Sequence, residues 1–258
     1  MVTSAIISIG LPIGLFFVFH KGYGLKIIPL FMGVAGFIIF ALILERSIHL
    51  IVFSKFALRE KPIVYILYGI FMAGIFEETS RFICFKILKK KYNGIMTALA
   101  HGIGHGGIES IIIGLSMVNA VIFSVMLNTG NIETITANLQ GEALEQVNAQ
   151  VAALLTAPSY SFSISGIERI FAIAIQISLS VIVYYSVYGN NTLWLYPFAI
   201  IVHAIVDIPA AALQTGIVKD VNTVELLVCI SAIILMIIAK KIHGKLKKNI
   251  TEAIPELG

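Results

Sequence analysis

Long apolar runs alternate with short polar breaks along this chain, and the runs set its architecture. Stretches long enough to cross a bilayer, about 20 residues each, fall near 4–20, 26–44, 62–88, 95–127, 163–187, 192–213 and 221–239. They predict an all-α, polytopic transmembrane helix bundle of seven spans, a single integral membrane domain over 1–258. The stretch RSIHLIVFSKFAL at 46–58 is apolar but short. It reads as an interfacial or re-entrant piece, or as an eighth crossing. In the loop 128–161, residues 137–155 place Leu144, Val147, Val151 and Leu154 at helical spacing ahead of Pro158, which predicts an amphipathic helix on the outer surface. It serves either as a connector resting on the bilayer or as a lid over the interior.

Composition agrees with the pattern. Hydrophobic residues make up 58% of the chain and charged ones 12%, with a mean hydropathy of +0.95, far from the range of soluble domains. The net charge of +4 comes largely from lysines beside spans: Lys89, Lys90 and Lys91, then Lys240, Lys241, Lys245, Lys247 and Lys248. Such clusters report orientation and contact with anionic lipid, so no nucleic-acid partner is inferred. Cys84 and Cys229 both lie in apolar spans without a CxxC pattern and read as packing residues. The first residues lack the basic start of a signal peptide and are kept as a span.

Lysine and arginine also orient the bundle. The triplet 89–91 and the tail 240–248 belong in the cytoplasm, whereas loop 128–161 holds three glutamates and neither lysine nor arginine, so it faces outward. Seven spans then put the N-terminus outside and the C-terminus in the cytoplasm. Arg46, Lys55, Arg59 and Lys61 run against this arrangement, and an eighth crossing at 46–58 would put the N-terminus inside.

Polar groups interrupt the apolar runs in three places. Glu77, Glu78 and Arg81 lie in the third run, His101, His105 and Glu109 in the fourth, and His203 and Asp207 in the sixth. Ionisable groups at such depth are costly and usually functional. Glu77 and Arg81 are four apart, as are His101, His105 and Glu109, and His203 and Asp207, so each set forms a stripe on one helix face. Glu77 lies eleven residues before Leu88, His105 ten after Ile95 and His203 eleven after Thr192. At 1.5 Å per residue these offsets are roughly 15 to 17 Å, near the middle of a hydrocarbon core about 30 Å thick. Three helices therefore bring their polar groups to one level. Gly102 and Gly106 beside His105 make a small-xxx-small step with room for a neighbouring helix or a substrate strand. Glu168 and Arg169 stand near the outer end of the fifth run, with Gln176 and Ser180 continuing the face of Arg169. Adjacent residues do not share a helix face, so each is expected to pair with another helix, as a structural ion pair or, for Glu168, as a cavity-lining acid.

Peptide hydrolysis inside a membrane needs a base to activate water and a group to polarise the carbonyl. A glutamate withdrawn from water is a stronger base than one in solution, which suits Glu77 or Glu78, and Arg81 can hold one of the pair ionised. Closely paired carboxylates titrate together, so charge alone does not divide their roles. His105 can share the proton of the water. His203 and Asp207 can donate hydrogen bonds to a developing oxyanion, or an ionised Asp207 can orient His203.

The stretches EETSR, HGIGHGGIE and HAIVD, in this order, resemble the YhfC family of predicted intramembrane proteases, which is itself similar to the CPBP group (CAAX protease and bacteriocin-processing). The resemblance covers most of the chain. It implies a metal-independent glutamic protease of the bacterial plasma membrane, in which Glu77 is the base, His105 its partner, and His203 and Asp207 the oxyanion-side groups. The substrate would be a membrane-associated peptide or protein, and the site would open toward the cytoplasm. The chain departs from the wider group in three respects. Its arginine follows the glutamate pair after two residues rather than three, no phenylalanine stands four before His101 or His105, and Asp207 replaces an asparagine.

Two other readings use the same residues. His101, His105, Glu109 and His203 are competent zinc ligands, two of them at i, i+4, although HExxH is absent. A zinc-dependent protease would keep Glu77 or Glu78 as base. Intramembrane acids, arginine and histidines also build proton-coupled transporters and channels.

Overall fold

The computed structural model describes residues 1–156 and 158–252. It is helical from end to end: α1 (Val2–Tyr23), α2 (Ile27–Phe37), α3 (Arg46–Lys55), α4 (Pro62–Leu88), α5 (Ile95–Asn128), the single turn α6 (Glu133–Thr136), α7 (Glu142–Thr156), α8 (Ser159–Tyr188), α9 (Leu195–Gln214) and α10 (Val221–Glu252). Among the described residues seven helices are long and apolar enough to cross a membrane. The eighth crossing considered for 46–58 is not one of them. A π-helical segment, Ile38–Glu45, joins α2 to α3, so that Ile27–Lys55 forms one continuous span. The polar pair Glu45 and Arg46 imitates a span end in the sequence. In the structure Glu45 turns into the bundle while Arg46 faces outward.

Local sequence explains where the helices stop and start. Gly24 ends α1 in the left-handed conformation at φ 68° and caps it through a backbone bond to the Phe19 carbonyl, a conformation that costs glycine little. Pro62 opens α4 at its first turn, where a missing N–H is harmless. Asp220 caps α10 by accepting from the N–H groups of Asn222 and Thr223. The Thr223 hydroxyl also donates to this carboxylate and, with those amides, holds the Asp220 carboxyl below its usual range.

Helix α8 is the centre of the bundle. In its most apolar window 67% of residues are buried, against 11 to 33% in the other six spans. Its core includes Leu179, Ile182, Val183, Tyr184 and Tyr185. The outer faces of the other spans carry exposed Ile6, Phe17, Phe31, Leu50, Ile63 and Ile87, the surface expected toward lipid tails. Glycines set the close approaches that bring polar stripes together. A side chain on Gly33 would collide with the His101 carbonyl, and one on Gly104 with the Leu30 carbonyl, which locks α2 to α5. Gly102 lies against Ile177, and Gly106 against Gln176 and Ile173, which locks α5 to α8. The room beside His105 is thus taken by neighbouring helices on both sides rather than left for a substrate strand.

The two ends of the bundle differ. Loops 24–26, 89–94 and 189–194 share the lysine-rich end, where Lys89 Nζ donates to the Val187 carbonyl at 2.7 Å and the Tyr188 hydroxyl to the Tyr92 carbonyl at 2.7 Å. Phe85, Tyr184, Tyr185 and Tyr188 fill the interior there. At the other end, α7 keeps Leu144, Val147, Val151 and Leu154 half-buried while its other described side chains are exposed.

Candidate functional site

Spacing on α4 lets one guanidinium serve two carboxylates. Arg81 Nη1 donates to Glu78 Oε1, and Nη2 reaches Glu77 Oε2 at 3.5 Å. Helix α9 completes the enclosure of Glu78, because His203 Nδ1 lies 2.6 Å from its Oε1. A carboxylate oxygen accepts, so this ring nitrogen donates. The other nitrogen of His203, Nε2, then points at Asp207 Oδ2, 3.4 Å away, and at Glu77 Oε2, 3.9 Å away. From α5, His105 Nε2 contacts Glu77 Oε2 at 2.9 Å. The stripes of α4, α5 and α9 therefore meet as the common depth predicts. Helix α9 begins at Leu195 rather than at 192, which shortens the offset of His203 without separating it from Glu78.

Helix α8 supplies a residue that the sequence reading placed only on the face of Arg169. Gln176 accepts from Arg81 Nη2 through Oε1, and its Nε2 donates to Glu77 Oε2 at 3.3 Å and to Glu109 Oε2 at 3.1 Å. Both amide hydrogens and the oxygen are engaged, which fixes the side chain between two glutamates. The seven-residue step from Arg169 was the available signal, but an uncharged residue does not stand out in a search for buried charge.

The two glutamates are not equivalent. Side chains of Glu78, Arg81 and His105 are fully enclosed, whereas that of Glu77 is 11% exposed and that of Asp207 36% exposed. Glu78 is anchored by Arg81 and His203, and Glu77 lies at the edge of the enclosed cluster. His101 is held differently: its Nδ1 faces Ser180 Oγ at 3.4 Å, and its ring packs on Phe85 at 4.7 Å and on His105 at 6.0 Å between centroids. Glu109 sits one turn beyond His105 and joins the site through Gln176, while Arg169 Nη1 donates to Glu109 Oε1 at 3.3 Å. Arg169 also donates to its own neighbour Glu168. The expectation that adjacent residues would both look elsewhere is corrected here, because the long arginine stem swings its head group across the helix surface.

A cavity of about 350 Å³ borders the site, and Asp207 forms part of its wall. It runs along α4 from Ala73 to Tyr65, along α9 from Asp207 to Gln214, and past Glu45, His49 and Phe53. All three directions lead away from the lysine-rich end. The cavity therefore extends from the site away from the lysine-rich end, and aromatic side chains fill the bundle between the site and the lysines.

The donor set fits zinc only in part. His203 is oriented by the Glu78 carboxylate, as ligating imidazoles usually are. The remaining groups offer a partial set: His105 Nε2 and His203 Nε2 approach Glu77 Oε2 at 2.9 and 3.9 Å, while the fixed cation of Arg81 lies on both glutamates and His101 faces Ser180. Among the described residues no three His, Cys, Asp or Glu side chains form a group able to hold a metal ion.

Fold and site together define a multi-pass helical membrane protein with a buried Glu/Arg/His cluster in mid-bundle. The chain belongs to the YhfC family: the family model described as YhfC intramembrane metalloprotease matches residues 7–228. It is similar to the "Uncharacterized membrane protein YhfC" of Bacillus subtilis (strain 168), 37% identical over 235 residues that cover 89% of this chain and 90% of that protein. No solved structure matches it.

Proposed function

We propose that the chain hydrolyses peptide bonds of membrane-associated substrates within the bilayer, with Glu77 as the base that activates water. The observation that carries this reading is the unequal setting of two adjacent glutamates. Glu78 is fully enclosed and held through Oε1 by Arg81 and His203, whereas Glu77 keeps partial access and a histidine partner. In the reaction Glu77 takes a proton from water as the oxygen attacks the carbonyl carbon. His203, an imidazolium whose Nδ1 donates to Glu78, turns the Nε2–H that faces Asp207 to the oxyanion, and the nearby Asp207 carboxylate keeps that charge on the ring. The C–N bond breaks as the amine takes the proton from Glu77.

Membership of the family supports an intramembrane protease, and the family's description favours a metal over a bare glutamate. The contacts of Arg81 and His105 favour the glutamate. Against transport stands the aromatic layer of Phe85, Tyr184, Tyr185 and Tyr188, which interrupts a polar path across the bundle. By the positive-inside rule the lysine-rich end and the C-terminus lie in the cytoplasm of a bacterial cell.

The test compares purified wild type and Glu77→Gln on a pool of membrane-segment peptides, with and without a strong zinc chelator. Cleavage that survives the chelator and falls by about 10²- to 10⁴-fold in the variant is the expected result. Chelator-sensitive cleavage would replace it with the metalloenzyme. Absence of cleavage from well-folded protein would end the protease reading and make proton flux the next assay.

A further inference from the structure

The cavity beside Asp207 has walls of its own chemistry. Its lining includes two carboxylates, Glu45 and Asp207, and no lysine or arginine. Glu45 is buried, 8% exposed, in the middle of a membrane-spanning helix, where an acid without a fixed cation is costly. Arg46, its sequence neighbour, points outward and does not line the cavity. The partner of Glu45 is His49, whose Nε2 lies 3.2 Å from Glu45 Oε1 while its Nδ1 lies 2.8 Å from the Tyr68 hydroxyl. Around this relay stand aromatic faces: Phe53 stacks on Tyr65 at 5.7 Å and on His49 at 5.5 Å, and meets Tyr68 edge-on at 5.7 Å. The volume of about 350 Å³ falls within the range of small-ligand pockets, about 300–1,000 Å³.

A buried carboxylate within aromatic walls suits a cation, which gains from both the charge and the ring faces. We propose that this cavity receives a lysine or arginine side chain of the substrate, next to the bond that is cut. The inference rests on the protease reading for its biological meaning, though the pocket itself can be tested without cleavage. Asp207 belongs to both the pocket wall and the hydrolytic cluster, so a basic side chain held there places its own backbone beside Glu77 and His203. Glu45 is thus a specificity residue, with His49 and Tyr68 fixing its orientation.

Two measurements on the full chain in detergent test this, each with Glu45→Gln and with Gly69→Leu. Gly69 lines the cavity and a Cβ there meets nothing within 4 Å, so the second variant adds bulk to the cavity while leaving the acid in place. In the first measurement n-hexylamine and 1-hexanol are compared as probes by thermal melting. The amine should raise the wild-type midpoint, the alcohol should not, and both variants should lose the shift. In the second, one transmembrane peptide carries Lys, Arg, norleucine or Glu beside the cleaved bond. Wild-type kcat/KM should favour Lys or Arg by at least about tenfold, Glu45→Gln should level the series, and Glu45→Lys should turn the preference toward Glu. Equal melting responses to both probes, or an amine shift kept in Glu45→Gln, would overturn the pocket, as would cleavage without cation preference. If no peptide is cut, the protease reading fails and the melting comparison alone decides the pocket.

Discussion

Two clusters of acid and arginine lie about one helical turn apart in this bundle, and Gln176 joins them. The inner one holds Glu77, Glu78 and Arg81 with His105 and His203, and their side chains are 0 to 11% exposed. The outer one holds Arg169 between Glu109 and Glu168, whose side chains are 25 and 24% exposed, and it contains no histidine. In the outer cluster one cation answers two acids and the account closes there. In the inner cluster one cation also answers two acids, but histidines approach both and Asp207 opens onto a cavity. Buried charge alone therefore does not mark a reactive centre. What separates the two is histidine at both acids, a group able to pass a proton, and the cavity onto which Asp207 opens.

Substitutions sharpen that contrast. The largest effect is expected from Arg81→Met, which strands two carboxylates in the enclosed cluster. A loss of about 3–5 kcal/mol in stability is anticipated, read as a large drop in melting midpoint and in yield from the membrane. A variant that melts like wild type would mean that the glutamates are not held as a charged pair. Gln176→Leu should act on both clusters at once, leaving Arg81, Glu77 and Glu109 each short of a partner, at about 1–3 kcal/mol and with cleavage reduced. Activity reduced without any change in melting would show that the bridge tunes Glu77 rather than stabilising the bundle. Glu168→Gln is the smallest change, because Arg169 keeps Glu109, and a shift of no more than about 1 kcal/mol is expected. Loss of cleavage in that variant at unchanged melting would make the outer acid part of the reactive centre and erase the distinction.

Much of this was legible in the sequence because membranes make charge conspicuous. Glu77, His105 and His203 stand out of apolar runs, and their offsets from the span ends bring them to one level. Spacing of three and four explains why Arg81 reaches both glutamates. The choice between His101 and His105 was not legible, since both lie on the same stripe. In space they part: His105 contacts Glu77, whereas His101 faces Ser180 and packs on Phe85. Glu45 was missed because hydropathy falls at the pair Glu45 and Arg46, so that the run was closed at 44. The helix continues because the two side chains part, one inward and one outward. The glycines around His105 leave room for a neighbouring helix or a substrate strand, and it is neighbouring helices that take it, through the carbonyl of Leu30, the Cα of Ile177 and the side chain of Gln176. Sequence reports that a glycine leaves space, but not which neighbour fills it.

The π segment at Ile38–Glu45 has a consequence for phase. Before it, Gly33 and Gly36 touch α5 and α4. At its last residue and beyond, Glu45, His49 and Phe53 face the cavity. The wider winding of such a segment offsets the second half of the rod from the first, so one helix serves two partners that a uniform α-helix would present at a different angle. An α-helix advances about 100° per residue. Deleting one residue within the segment would rotate Glu45, His49 and Phe53 together, as a key turned in its lock. The chemistry of the cavity thus depends on the winding of the backbone as well as on the side chains that it carries.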